Sequence, residues 1–214
     1  MTSEVKPKGD DRIGLWMLVA VIVITGALFL WTRAHFQHNE PPIGSHLDAQ
    51  GNMQVLGVTL GQTTLKEAES ILESKSDVAL YIYPQGHEKE GRKMEAFFPA
   101  IADHTKVILR LDLNSVQLDE IEERATIPHL YPNQVARMNL AAKDRMALDQ
   151  AIISELTLIP NLTLTTENIQ ARFGQPDQID TTTDQKVYHY RSLGLDVTII
   201  ADEPPTLHFF QAQK

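Results

Sequence analysis

The groups in this chain that could move protons or hold a metal are eight histidines and 28 aspartates and glutamates, with no cysteine among its 214 residues. The lack of Cys excludes thiolate nucleophiles, disulfides and Cys-based metal centres. His189 lies between Tyr188 and Tyr190, His208 lies in TLHFF, Glu95 lies in MEAFF, and His104 just precedes KVILRL. A histidine and a carboxylate within hydrogen-bonding reach in one cleft could perform general acid–base chemistry. A deep pocket holding two or more of these four side chains would mark an enzyme, whereas an apolar exposed sheet patch would mark a docking protein.

The familiar catalytic spacings are missing. His87-Glu88 opens an H-E pair, but the second His of a zinc-protease helix is absent. Gly57-x-x-x-Gly61-Gln62-Thr63 has the wrong spacing for a phosphate loop and no Lys, and there is neither G-x-S-x-G nor G-x-G-x-x-G. The run Asp119-Glu120-x-Glu122-Glu123 lacks the alternating acids and glycine of a calcium loop and reads as a solvated surface. His35, His38 and His46 fall in a Pro- and Gly-interrupted stretch that reads as a spacer rather than a metal site. No catalytic, cofactor-binding or metal-binding residue is therefore assigned, and the chain is expected not to be an enzyme. The alternative is a membrane-tethered enzyme with an unrecognised His/acid site.

The elements that must position these groups begin with Ile13 to Trp31, nineteen residues without a charge. As a helix this run would measure about 28 Å, close to the hydrocarbon thickness of a bilayer. Trp16 and Trp31 would mark its interfaces, and Arg12 and Arg33 its charged ends. The run is longer than a signal-peptide core, and no small-residue cleavage site or lipidation Cys follows it. Lys6, Lys8 and Arg12 precede it, whereas after Arg33 the next cation is Lys66. The positive-inside rule then puts the N-terminus in the cytoplasm and the rest outside. The expected location is the inner membrane, single-pass, with the C-terminal domain in the periplasm. A net charge of −9 argues against nucleic acid as a partner.

Beyond the span, periodicity divides the chain into a linker at 33–54, a first unit at 55–125, a helical connection at 126–154 and a second unit at 155–214. Leu60-Gly61 leads into a helix capped by Thr64, with Glu67 completing a capping box and Leu65, Ala68, Ile71 and Leu72 as its apolar stripe. Strands are expected at 78–83, 94–98 and 106–113. Ser115–Arg124 and Asn139–Ser154 read as helices, and Ile127–Gln134 as a loop. In the second unit a helix at Thr166–Phe173 stops at Gly174, with Pro176 beyond. Strands follow at 186–191, 195–201 and 206–210. Both units run helix, strand, strand, strand, which reads as a degenerate duplication. The fold class is α+β: one transmembrane helix and two small helix-plus-antiparallel-sheet units.

Residues 162–178, LTLTTENIQARFGQPDQ, together with 187–199, VYHYRSLGLDVTI, resemble the SmpA/OmlA or BamE-like domain. The likeness rests on Phe173-Gly174-Gln175-Pro176, on Tyr188 and Tyr190, and on the Gly194 turn. Gly61, Thr64 and the helix through Leu72 match more loosely. Such domains also occur as tandem pairs, and the resemblance implies a small envelope-facing binding scaffold without catalysis. The expected partners are the membrane, through the N-terminal helix, and another envelope protein, docked through an exposed sheet face or edge.

Overall fold

A computed structural model describes residues 21–26, 44–87, 89–101 and 104–212. The chain divides into two compact units, residues 1–42 and 43–214. In the first, Val21–Gly26 are helical, and the Thr25 hydroxyl donates back to the Val21 carbonyl at 2.7 Å.

The second unit opens with a small antiparallel meander: β1 (Ser45–Leu47), β2 (Met53–Val55) and β3 (Val58–Thr59). Asp48 turns the first hairpin by accepting the Gln50 and Asn52 amides at 2.9 and 2.8 Å. Helix α1 (Leu65–Ile71) follows, with the expected capping box between Thr64 and Glu67. Then come β4 (Asp77–Tyr83), β5 (Gly91–Phe98), β6 (Lys106–Leu111), α2 (Ser115–Arg124), β7 (His129–Leu130), β8 (Ala136–Asn139) and α3 (Ala142–Ala147). The rest is β9 (Ile153–Ile159), α4 (Thr166–Phe173), β10 (Gln178–Thr181), β11 (Gln185–Tyr190), β12 (Leu195–Ile200) and β13 (Thr206–Phe209).

The last ten strands form one antiparallel sheet in the order β10-β11-β12-β13-β9-β6-β5-β4-β8-β7. Strand β9 joins its halves, pairing β6 on one edge and β13 on the other. Leu156 sits between Leu109 and Phe209, and Leu158 between Val107 and Leu207. All six are fully buried. A bulge at Ser154 re-phases the strand, so that Ile153 reaches the same buried face opposite Leu111 while Glu155 stays on the other. Leu65 and Ala68 of α1, Ile121 of α2 and Ile169 of α4 join that face in a single core cluster.

These findings overturn the expectation of two small α+β units behind a transmembrane helix. The first run is present as α1, β4, β5 and β6, whereas the second gains a strand, α4 being followed by β10, β11, β12 and β13; β6 and β13 would each end a half with an unpaired edge. Strand β9 covers both edges and merges the units into one sheet with one core. Among the described residues no helix is long and apolar enough to cross a membrane. The described part of the expected span is six residues, roughly 9 Å of helix. Arg12, Trp16, Trp31 and Arg33 lie outside the described residues. The end of the expected linker is strand: β1 and β2 fall within 44–55. The helix expected over 139–154 is a strand end, six residues of α3, a 3-10 turn at Leu148–Gln150 and the start of β9.

Of the residues carrying the family resemblance, Tyr188 and Tyr190 are buried and Gly174 is exposed. Thr165 caps α4, and the Thr166 hydroxyl lies 2.7 Å from that of Tyr188. The Phe173 and Tyr190 rings are 5.8 Å apart, and the Tyr190 hydroxyl donates to the Gly174 carbonyl at 3.2 Å. Gly174 ends the helix at φ +83°, ψ −160°, a region open essentially to glycine alone rather than the left-handed helical one. Pro176 is half-buried beyond it. Gly194 is left-handed, and a Cβ there would meet the Phe210 carbonyl oxygen at 2.1 Å. Gly61 follows β3 at φ +78°, its amide donating to the Ile153 carbonyl at 2.8 Å.

Away from the sheet, Glu69 is buried yet ionised. Burial pushes its carboxyl up, but hydrogen bonds from Lys75 and Ser76 and the Arg145 charge outweigh it and hold the group below the usual carboxylate range.

One shared core has a consequence for unfolding. Leu156→Ala should cost about 2–5 kcal/mol and lower the urea midpoint of a single transition followed by circular dichroism and tyrosine fluorescence. Separate midpoints for the two halves would contradict the shared core. Gly174→Val and Gly194→Ala should each cost about 1–3 kcal/mol in the same assay, the second through collision as well as backbone strain.

Candidate functional site

Alternation in an antiparallel sheet sends successive side chains to opposite faces. With Leu80, Met94, Leu109, Leu156, Leu207 and Val197 directed into the core, their neighbours along each strand must occupy the other face. That face carries Tyr81 and Tyr83 of β4, Lys93 and Glu95 of β5, Arg110 of β6 and Glu155 and Thr157 of β9. It continues with His208 of β13, Asp196 of β12 and His189 of β11. The core-forming helices α1, α2 and α4 all pack on the opposite side, leaving this face open among the described residues.

Cross-strand bonds organise its charges into three groups. At the β4–β5 end the Tyr83 hydroxyl donates to Glu95 at 3.0 Å. The Lys89 ammonium lies 4.0 Å from the same carboxylate and 5.8 Å from the Tyr83 ring centre. In the middle, Glu155 receives Arg110 on one oxygen, while its other oxygen lies 3.1 Å from His208 Nε2. Further across, His189 is held between two acids, Asp196 at 2.7 Å on Nδ1 and Asp180 at 3.2 Å on Nε2. Arg137 of β8 closes the far side on Asp77 at 2.7 Å.

Electrostatics follow from partial burial. Glu95 is 6% exposed, and burial together with the Glu95 charge drives the Tyr83 hydroxyl far up, so Tyr83 stays a donor. Burial also raises Tyr81. Burial would raise the Glu155 carboxyl, yet the His208 hydrogen bond and the Arg110 charge hold it below the usual range. Burial and the neighbouring Arg110 charge lower the Lys93 ammonium, against weaker pulls from Glu155 and Glu95.

A cleft of about 340 Å³ opens on this face between Lys89, Lys93, Glu95, Arg110, Glu155 and His208, with Asp196 on its wall. Of the four side chains singled out by sequence, Glu95 and His208 meet here. His189 touches the cleft only through Asp196, and His104 lies exposed after β5. Asp119 and Glu122 of the acidic run are engaged by Arg92. Among the described residues no three His, Asp or Glu side chains group to hold a metal. The resemblance residues Phe173, Gly174, Pro176, Tyr188, Tyr190 and Gly194 shape α4 and its packing and contribute nothing to the cleft. Lys93, Arg110, Glu155 and Asp196 were not singled out by sequence; their signal was a polar residue at every second position of an otherwise apolar strand.

Comparison with known proteins adds no family: no protein-family model, no curated protein and no solved structure matches the chain.

The central group makes a pH-dependent contribution to stability. The folded Glu155 carboxyl is depressed, so its stabilisation is fully present above the ordinary carboxylate value and disappears as pH falls through the folded one. Glu155→Gln should therefore lose about 1–2 kcal/mol at pH 7. In urea titrations the difference from the parent should shrink steadily below about pH 4; a gap unchanged at pH 3 would show that Glu155 contributes through packing instead.

Proposed function

We propose that this protein is a binding or assembly module that docks another protein on its open sheet face, without catalysis of its own. The observation carrying this reading is the face itself. Tyr81, Tyr83, Lys93, Arg110 and His208 stand on neighbouring rigid strands, outside the core, with most of their charges already oriented by cross-strand partners. Tyr and Arg dominate energetic hot spots at interfaces, and groups fixed before association lose less entropy when they bind. The resemblance of residues 162–199 to SmpA/OmlA domains adds a setting, a protein of the cell envelope as the partner.

The convergence of Glu95 and His208 in one cleft favours a second reading, an acid–base enzyme. Against it, both groups are already committed, Glu95 to Tyr83 and His208 to Glu155.

A photo-crosslinking amino acid at Tyr81 in the full chain should capture a specific protein partner in cells. The same group at Lys143, away from the open face on α3, should not. Equal capture from both sites, or from neither, would refute docking through this face.

A further inference from the structure

Strand β7 ends the ten-stranded sheet, and among the described residues no strand pairs its outer edge. The Tyr131 amide donates inward, to the Val135 carbonyl at 2.9 Å. Alternation along an antiparallel pair then turns the amide and carbonyl of Leu130 outward, away from β8. The side chains around this edge are apolar and uncovered: Ile127 is 92% and Leu130 65% exposed, and Tyr131 is exposed next to them. Residues 125–136 contain no Asp, Glu, Lys or Arg, in a chain of net charge −9. The opposite edge is unlike it, since β10 has Asp180 within it and Asp177 and Asp184 on either side.

We propose that β7 pairs edge to edge with β7 of a second copy of this chain, antiparallel, across a two-fold axis at Leu130. The residues are self-complementary about that position. Pro128-His129-Leu130-Tyr131-Pro132 reads proline, ring, leucine, ring, proline in both directions. In this register Leu130 exchanges both of its outward backbone bonds with the partner's Leu130, and each His129 stands opposite the partner's Tyr131. The prolines set the register. A shift by one step of the ladder would place Leu130 against a proline, which has no amide to donate.

Charge selects the occupant. Two acidic chains repel wherever charged surfaces meet, and least where neither carries an ionised side chain. The contact also continues what each sheet already has. Ile82, Ala136 and Leu130 form one row across β4, β8 and β7, and the leucine pair carries that row into the second copy. Tyr81, Arg137 and His129 form the adjacent row, so the open face is extended as well. Because the same strand is used on both sides, the pairing closes as a dimer and leaves no edge of β7 for a third chain.

The chain has no cysteine, so single Cys substitutions report on one position each. Residues exchanging both bonds across an antiparallel pair have Cα atoms about 5.5 Å apart, within the span of a disulfide. In the full chain, carried with two different tags in the same cells, Leu130→Cys should give mixed-tag disulfide dimers under copper phenanthroline roughly tenfold faster than Ile179→Cys on β10 or Met146→Cys on α3. Both control positions are exposed. Equal rates at the three positions, no dimer, or a disulfide to a different protein would overturn the proposal.

A charge exchange tests the axis. Leu130→Asp alone and Leu130→Lys alone should each abolish recovery of one tagged copy with the other, because like charges then face each other. Together the two variants should restore it, which also shows that both are folded. Association that survives either single variant, or a mixture that stays apart, would refute pairing about Leu130.

Discussion

Strand β9 is the constraint on which the rest of this structure depends. An antiparallel sheet half with a free edge exposes a row of amides and carbonyls, and both halves of this molecule would end that way, at β6 and at β13. A single seven-residue strand satisfies both edges. Its apolar side chains are buried between residues that are themselves fully buried, so hydrogen bonding and hydrophobic burial act at the same positions. The segment before it is tied down as well: Leu65 donates to the Ala151 carbonyl at 2.9 Å, and Ile153 to that of Thr63 at 3.0 Å. The start of α1 and the centre of the sheet are thereby fastened together.

The position of β9 also explains the open face. Once Leu156 and Leu158 point into the core, Glu155 and Thr157 must point away, and every strand registered to β9 inherits the same assignment. Without the bulge at Ser154, Ile153 would share the face of Glu155 and place an isoleucine among the charges. Arg110, Glu155 and His208 meet because their three strands are neighbours across β9, not because of any proximity in the chain. The oriented charges are therefore a by-product of strand order.

On the proposed docking reading, the face would recognise a partner by geometry more than by chemistry. Its ionisable groups are mostly neutralised in pairs, which lowers their availability as acids and bases and fixes their directions. Tyr83 is held protonated by burial and by the acid it serves, and Glu155 is held ionised by its two partners.

Features resting on neighbours along the chain were legible in the sequence: the capping box at Thr64 and Glu67, α2, α4 and its glycine stop, and the alternating strand KVILRL. Their energies are settled within a few residues by hydrogen bonds to adjacent amides and by periodicity. Where local signals were ambiguous, the reading failed. The apolar spacing of residues 139–154 suits a helix, yet Met146 is 75% exposed and the ends of the segment belong to β8 and β9. The sequence by itself determined α1, α2, α4 and the longer strands, their order and the polar-every-second pattern that makes one face wet. Tertiary structure alone decided that the two halves share a strand and that Glu95 and His208 face one cleft. Strand pairing joins residues as far apart as Ala79 and Asn139, and its backbone hydrogen bonds are alike for any partner; the choice emerges only when all the apolar faces are buried together.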